Sequence, residues 1–306
     1  MLDPRGIHVP LITPFTAGGE VAGDVLADLG HAVLDAGAAG LVALGTTAEA
    51  ATLDAGERDA VVTVCAGVCR ERGVPLTVGA GSADTRATRA ALAELTRWPE
   101  VDAALVPVPS FTRPSEAGVL AHFTELVATS PVPLIVYHIP YRTGQPLSPG
   151  GLRALGRLPG VIGVKYAPGS LGADTVDLLG DLPPGFAVLA GDDVFLAPLL
   201  ALGAHGGILA SAHLATDRFV ELTEAWRAGT PPDPALGHSL ARWSAAAFAE
   251  PNPTVLKGVL HALGRIPTPD VRLPLLPAGA ASVGAALERL AELTTHRLPA
   301  GQLVSP

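Results

Sequence analysis

The chain has 306 residues, 48% of them hydrophobic and 16% charged, with a formal net charge of −9. Such a length and apolar content bury a full core without staples, which excludes a disordered chain. The acidic balance excludes an electrostatic footprint for nucleic acid or an anionic membrane, so neither is expected as a partner.

The opening segment, Met1-Leu2-Asp3-Pro4-Arg5-Gly6, lacks the basic-then-apolar pattern of a leader, and a cytoplasmic protein is expected. Eight apolar runs follow, at 9–12, 40–44, 76–79, 103–108, 133–138, 161–165, 187–190 and 207–210. They lack period-two alternation, as do strands buried on both faces of a parallel sheet. Helical apolar spacing fills 24–34, 55–68, 85–95 and 114–128, with Asp54, Asp84 and Ser115 as caps. Cys65 and Cys69 read as one buried helix face, because structural zinc takes four ligands. Val9-Pro10-Leu11, Val74-Pro75-Leu76 and Val132-Pro133-Leu134 each place proline where a strand is expected to begin. The stretch 194–215 lacks Asp, Glu, Lys and Arg but is broken by Pro198, Gly203, Gly206 and Gly207. It reads as a buried helix and strand, not a membrane span.

Eight strands alternating with helices predict an α/β fold, a (β/α)8 TIM barrel over 1–229. An open doubly wound sheet is the weaker reading, since no Gly-x-Gly-x-x-Gly turn follows the first strand. The remainder, 230–306, predicts a C-terminal helical extension, with helices at 235–248, 253–263 and 278–293.

In a barrel the chemistry sits at the C-terminal ends of the strands. The chain's 20 basic residues include only two lysines, Lys165 and Lys257. Lys165 closes the run Gly160-Val161-Ile162-Gly163-Val164. Burial there favours the neutral amine, which attacks carbonyls; arginine cannot do this because it does not deprotonate. The alternative is a rim lysine whose ammonium reaches water. Tyr137 closes the preceding strand, so its phenol is expected beside Lys165, either shuttling a proton or serving as a core aromatic. Tyr141 and Tyr166 are expected to pack in loops. Gly45-Thr46-Thr47 ends the second strand and reads either as a carboxylate cradle or as an ordinary turn. His138 is a candidate substrate contact or a packing residue, and His205 and His213 carry the same two readings. Asp192-Asp193 reads as a helix cap. No cluster has metal-ligand spacing, so no metal and no cofactor are expected.

These residues fall into a larger pattern. Pro10-Leu11-Ile12-Thr13-Pro14-Phe15, Gly45-Thr46-Thr47 with Glu49, and Gly79-Ala80-Gly81-Ser82 come first. Tyr137-His138-Ile139-Pro140 with Arg142-Thr143-Gly144, Gly163-Val164-Lys165 and Gly191-Asp192-Asp193 follow. Glu250-Pro251-Asn252-Pro253 with Lys257, and Arg272-Leu273-Pro274-Leu275, complete it. In this order and spacing the chain resembles the dihydrodipicolinate synthase/N-acetylneuraminate lyase family of class I aldolases. The resemblance implies a barrel with C-terminal helices, a homo-oligomer (tetramer or dimer), and small-molecule partners: a 2-keto acid, typically pyruvate, and an aldehyde. By resemblance Lys165 forms the Schiff base, Tyr137 is the general acid/base, and Thr46 and Thr47 bind the keto-acid carboxylate. The backbone carbonyl of Ile208 faces the keto acid. Arg142 grips an anionic aldehyde, unless it is a salt-bridged structural arginine. Lys257 is implied to be a helix-surface residue.

The chain departs from the pattern at Phe111, where the family's relay tyrosine stands, and at Ala48, His138 and Tyr166. These changes imply a paralogue with altered acceptor machinery. A true 4-hydroxy-tetrahydrodipicolinate synthase, a keto-deoxy sugar acid dehydratase and a catalytically idle keto-acid-binding barrel remain open at this point.

Overall fold

The computed structural model of the protein describes residues 3–230 and 233–295. Eight parallel strands close into a barrel in chain order: β1 (Gly6–Pro10), β2 (Gly40–Ala43), β3 (Leu76–Gly79), β4 (Val101–Pro107), β5 (Leu134–His138), β6 (Val161–Tyr166), β7 (Ala187–Ala190) and β8 (Gly206–Ile208). All eight expected strands are present, shifted by a few residues at their ends. The strands are buried almost throughout, which explains the missing alternation in the sequence.

Closure sets a steric demand at one position. Gly206 opens β8 at φ +145°, and a Cβ there would lie 2.0 Å from the Gly6 carbonyl oxygen. Only glycine lets β8 meet β1 so closely. The Val-Pro-Leu expectation holds at two sites and fails at the third. Pro75 and Pro133 precede β3 and β5, whereas Pro10 ends β1.

The expected caps are in place. Asp54 and Glu57 form a reciprocal capping box on the helix Ala55–Arg72, at 2.8 and 2.9 Å. Asp84 accepts from the Arg86 and Ala87 amides, and Ser115 from that of Gly118. Cys65 and Cys69 are buried free thiols on the inner face of Ala55–Arg72.

Side chains sort onto two sides of the barrel wall. Val42, Ala103, Leu105, Ile135, Ile162, Leu189 and Ile208 pack together inside it, while a larger cluster fills the layer between strands and helices. Beyond the barrel helices lie Pro234–Ala247, Thr254–Ala262 and Ala280–Thr295. The first is pinned to the loop after β8: buried Trp243 donates from Nε1 to the Ser211 carbonyl at 3.0 Å, and the Ser211 and Ser244 hydroxyls lie 2.9 Å apart. The expected extension beyond Thr295, and Met1-Leu2 of the opening segment, lie outside the described residues. Among the described residues no helix is long and apolar enough to cross a membrane.

Candidate active site

Strand register assembles the site. β5 and β6 pair Tyr137 with Lys165 and His138 with Tyr166. Successive strand residues face opposite sides, so one pair enters the barrel and the other leaves it. Lys165 is 6% exposed, and its Nζ lies 4.5 Å from the centroid of the Tyr137 ring. Burial draws the Lys165 amine down to about 8; the Asp193 and Asp192 carboxylates oppose the shift and Arg142 adds to it. Burial also raises the Tyr137 phenol above its usual value, against smaller opposing effects of Arg142 and Thr46. Both groups are therefore displaced toward their neutral forms.

The strand-seven loop shapes the space around Lys165. A Cβ on Gly191 would stand 2.8 Å from Lys165 Cγ and 3.3 Å from Cε, so the missing side chain leaves room for the lysine stem. The two aspartates that follow do not cap a helix with their side chains, contrary to expectation. Asp192 accepts from the Tyr141 hydroxyl at 3.0 Å and the Gly169 amide at 2.7 Å. Asp193 is buried and accepts from the Ser211 amide and hydroxyl at 2.7 and 2.6 Å. Burial raises its carboxyl to about 6, partly offset by those two donors. The turns around the aspartates offer better donors than the short helix behind them.

Thr46 and Thr47 sit in the turn after β2, flanked by Leu44 at φ 54° and Glu49 at φ 55°. Thr46 is open to the barrel mouth and Thr47 is buried, its Oγ1 accepting from Asn252 Nδ2 at 2.9 Å. Thr13 holds the same turn by donating to the Ala48 carbonyl at 2.8 Å.

Several expectations are corrected. Lys257 is not on a helix surface: it is fully buried, with Nζ 2.8 Å from Glu49 Oε1 and 4.1 Å from the Phe15 ring centroid. Tyr166 is not in a loop; it lies on β6 and points outward, its hydroxyl 3.2 Å from Thr175 Oγ1 on the helix Ala173–Gly180. His138 leaves the lumen with it, the two rings stacked 5.6 Å apart. The even spacing that sends Tyr137 inward sends its neighbour out, so His138 belongs to the packing layer and not to the substrate side. Burial lowers its imidazole to about 4. His213 accepts from the Ile12 amide at 3.0 Å and His205 from the Val188 amide at 3.2 Å, so both brace backbone.

Ile208 ends β8 and lines the lumen, in the cluster with Tyr137 and Leu189. Arg142 is exposed at the mouth, in the short helix Pro140–Thr143, and no ion pair to it is found among the described residues. Phe111 is 95% exposed, with φ 65°, and faces away from its own core. No group of three or more His, Cys, Asp or Glu among the described residues is placed to hold a metal. A groove of about 910 Å³ opens at the other end of the barrel, near Pro133 and Gly160, and none of the candidate residues lines it.

Sequence reasoning passed over Asn252, Glu49 and Asp193 as site residues. The scarcity of lysine was a usable signal for the Lys257–Glu49 pair, since a rare cation inside an apolar helix needs a partner. No local signal linked Asn252 to Thr47, which is 205 residues away.

A lysine and a tyrosine facing each other at adjacent strand ends match a family pattern across the whole chain: a model of the dihydrodipicolinate synthetase family matches residues 3–290. The chain belongs to that family. Among curated relatives, the 4-hydroxy-tetrahydrodipicolinate synthase of Maridesulfovibrio salexigens is 36% identical over 280 residues, covering 91% of this chain and 94% of the relative. The dihydrodipicolinate synthase structure from Thermotoga maritima superimposes with a TM-score of 0.90 at 26% identity, over 95% of this chain and 98% of that one. The chloride-inhibited synthase from Acinetobacter baumannii, solved in complex with pyruvate, gives a TM-score of 0.88 at 29% identity, over 95% and 99%. The protein is accordingly a carbon–carbon lyase of the family's Schiff-base type.

Proposed function

We propose that Lys165 forms an imine with pyruvate or a close 2-keto acid, and that the resulting enamine condenses reversibly with an anionic aldehyde. The observation that carries the assignment is the cross-strand pairing of a buried, low-pKa lysine with a buried tyrosine. Nζ attacks the keto carbon, the carbinolamine loses water, and an iminium remains. Loss of a methyl proton gives the enamine. Its carbon attacks the aldehyde carbon, the aldehyde oxygen takes up a proton, and water then hydrolyses the imine to free the 4-hydroxy-2-keto acid and Lys165. Tyr137 moves the protons of carbinolamine formation and breakdown. Thr46 and Thr47 hold the carboxylate of the keto acid, and the Ile208 carbonyl faces it. The same steps in reverse cleave a hydroxy-keto acid.

Arg142 supports an anionic acceptor. It is exposed at the mouth, forms no ion pair among the described residues, and acts electrostatically on both Lys165 and Tyr137. The names of the curated relatives support 4-hydroxy-tetrahydrodipicolinate synthesis as the first such reaction to test, while Phe111 offers no hydroxyl for a proton relay. Arg142→Ala should raise KM for a carboxylate-bearing aldehyde about tenfold, the loss of one charge-assisted contact. It should leave proton exchange from pyruvate in deuterated water near the wild-type rate. An equal loss in both assays would refute the assignment of Arg142 to the second substrate. The homo-oligomer, tetramer or dimer, belongs to the same proposal, and light scattering tests it.

The lysine also fixes a pH dependence. Only the neutral amine attacks, so the rate of imine formation at low pyruvate should rise about tenfold per pH unit below a pKa of about 8 and level off above it. Rapid-mixing rates across pH 6 to 10 (~0.5-unit steps) check this, and a flat profile through neutrality would contradict it.

A further inference from the structure

Resting on that reading, we infer that Asn252 is a positioning residue for the keto-acid carboxylate, part of a clamp by which the C-terminal helices set the Thr46-Thr47 turn. The clamp has three attachments. Asn252 Nδ2 donates to Thr47 Oγ1 at 2.9 Å. Lys257 Nζ holds Glu49 Oε1 at 2.8 Å, and the Arg272 amide holds Glu49 Oε2 at 2.7 Å. Arg272 is itself fixed, with Nη2 donating to Glu57 Oε1 at 2.6 Å and to the Gly19 carbonyl at 2.7 Å.

Two features give this geometry a functional sense. The turn is bounded by two non-glycine residues with positive φ, Leu44 and Glu49, a conformation that L-residues adopt only when their surroundings enforce it. Glu49 is the one whose carboxylate is held from two directions by the C-terminal segment. The second feature is hydrogen-bond polarity. A hydroxyl that accepts from Asn252 keeps its own proton for another acceptor. Thr47 is thereby preset as a donor, which is what an incoming carboxylate requires. A threonine without this partner would be free to turn its proton toward a nearby backbone carbonyl.

The test uses the intact protein and needs no knowledge of the aldehyde. Exchange of the pyruvate methyl protons in deuterated water, followed by proton NMR, gives both a half-saturating concentration and a saturated rate. Asn252→Ala should raise half-saturation about tenfold, the value of one hydrogen bond to a charged acceptor, while the saturated rate falls less than about threefold. Asn252→Asp should raise it further, since an aspartate forces Thr47 to donate toward it and repels the substrate carboxylate. Pyruvamide has the same ketone without the carboxylate, and its half-saturation should not respond to either variant. A purely structural role would reduce the saturated rate for both ketones alike. Melting curves identify any misfolded variant, and binding of pyruvamide then reports on the other. An Asn252→Ala protein with wild-type half-saturation for pyruvate would overturn the inference. Absence of exchange in the wild-type protein would instead overturn the proposed function.

Discussion

Replacing Lys165 with arginine or methionine should abolish the pyruvate adduct and reduce methyl-proton exchange by about 10⁴-fold or more, as removal of a covalent nucleophile does in other enzymes. The two substitutions separate charge from nucleophilicity. Arginine retains a cation near Asp192 and Asp193 but does not deprotonate. Methionine keeps the length and the apolar stem packed beside Gly191 but loses both properties. If charge alone organised the site, arginine would retain much of the activity. Imine chemistry requires that both fail alike. Stability should change little or improve with methionine, because a buried amine that forms no ion pair among the described residues is removed. Exchange rates and melting curves of the same preparations test both expectations.

Lys257→Met should destabilise the protein by about 3–5 kcal/mol, the cost of leaving the buried Glu49 carboxylate without its partner. For a chain of this size that corresponds to a fall in Tm on the order of 10 °C. Removing both charges in Glu49→Gln/Lys257→Met should cost less than Lys257→Met alone, because no unpaired charge is then buried. Denaturant unfolding of the two variants decides the order. A single variant as stable as the wild type would show that the pair is solvated, against its complete burial in the structure. The other lysine thus serves the fold, and each of the chain's two lysines has a separate and measurable consequence when lost.

The barrel was legible because a parallel sheet buries both faces, and eight uniform apolar runs separated by helical spacing admit few other folds. Caps were legible because Asp54, Asp84 and Ser115 act on amides two or three residues away. Strand ends were less so: Pro10 carries the same Val-Pro-Leu phrase as Pro75 and Pro133 yet closes its strand, whereas they precede theirs. Lys165 and Tyr137 could be named since a charged or polar group closing a buried strand is unusual in itself. His138 could not be placed from proximity in the sequence, because adjacent strand residues face opposite sides. Lys257 was misplaced for a different reason. The surface position was implied by the resemblance alone, whereas the helix is buried continuously over 254–260 and the lysine meets Glu49 and Phe15 there. Asp192-Asp193 looked like a cap locally, but the Ser211, Tyr141 and Gly169 donors come from three other segments of the chain.

The most direct test of the central claim is borohydride reduction in the presence of pyruvate, followed by intact mass and peptide mapping. With only two lysines in the chain, the map is unambiguous. One reduced pyruvyl group per chain, confined to Lys165, is the predicted result. A folded protein that gains no adduct across a panel of 2-keto acids, or that carries it on Lys257, would contradict the account.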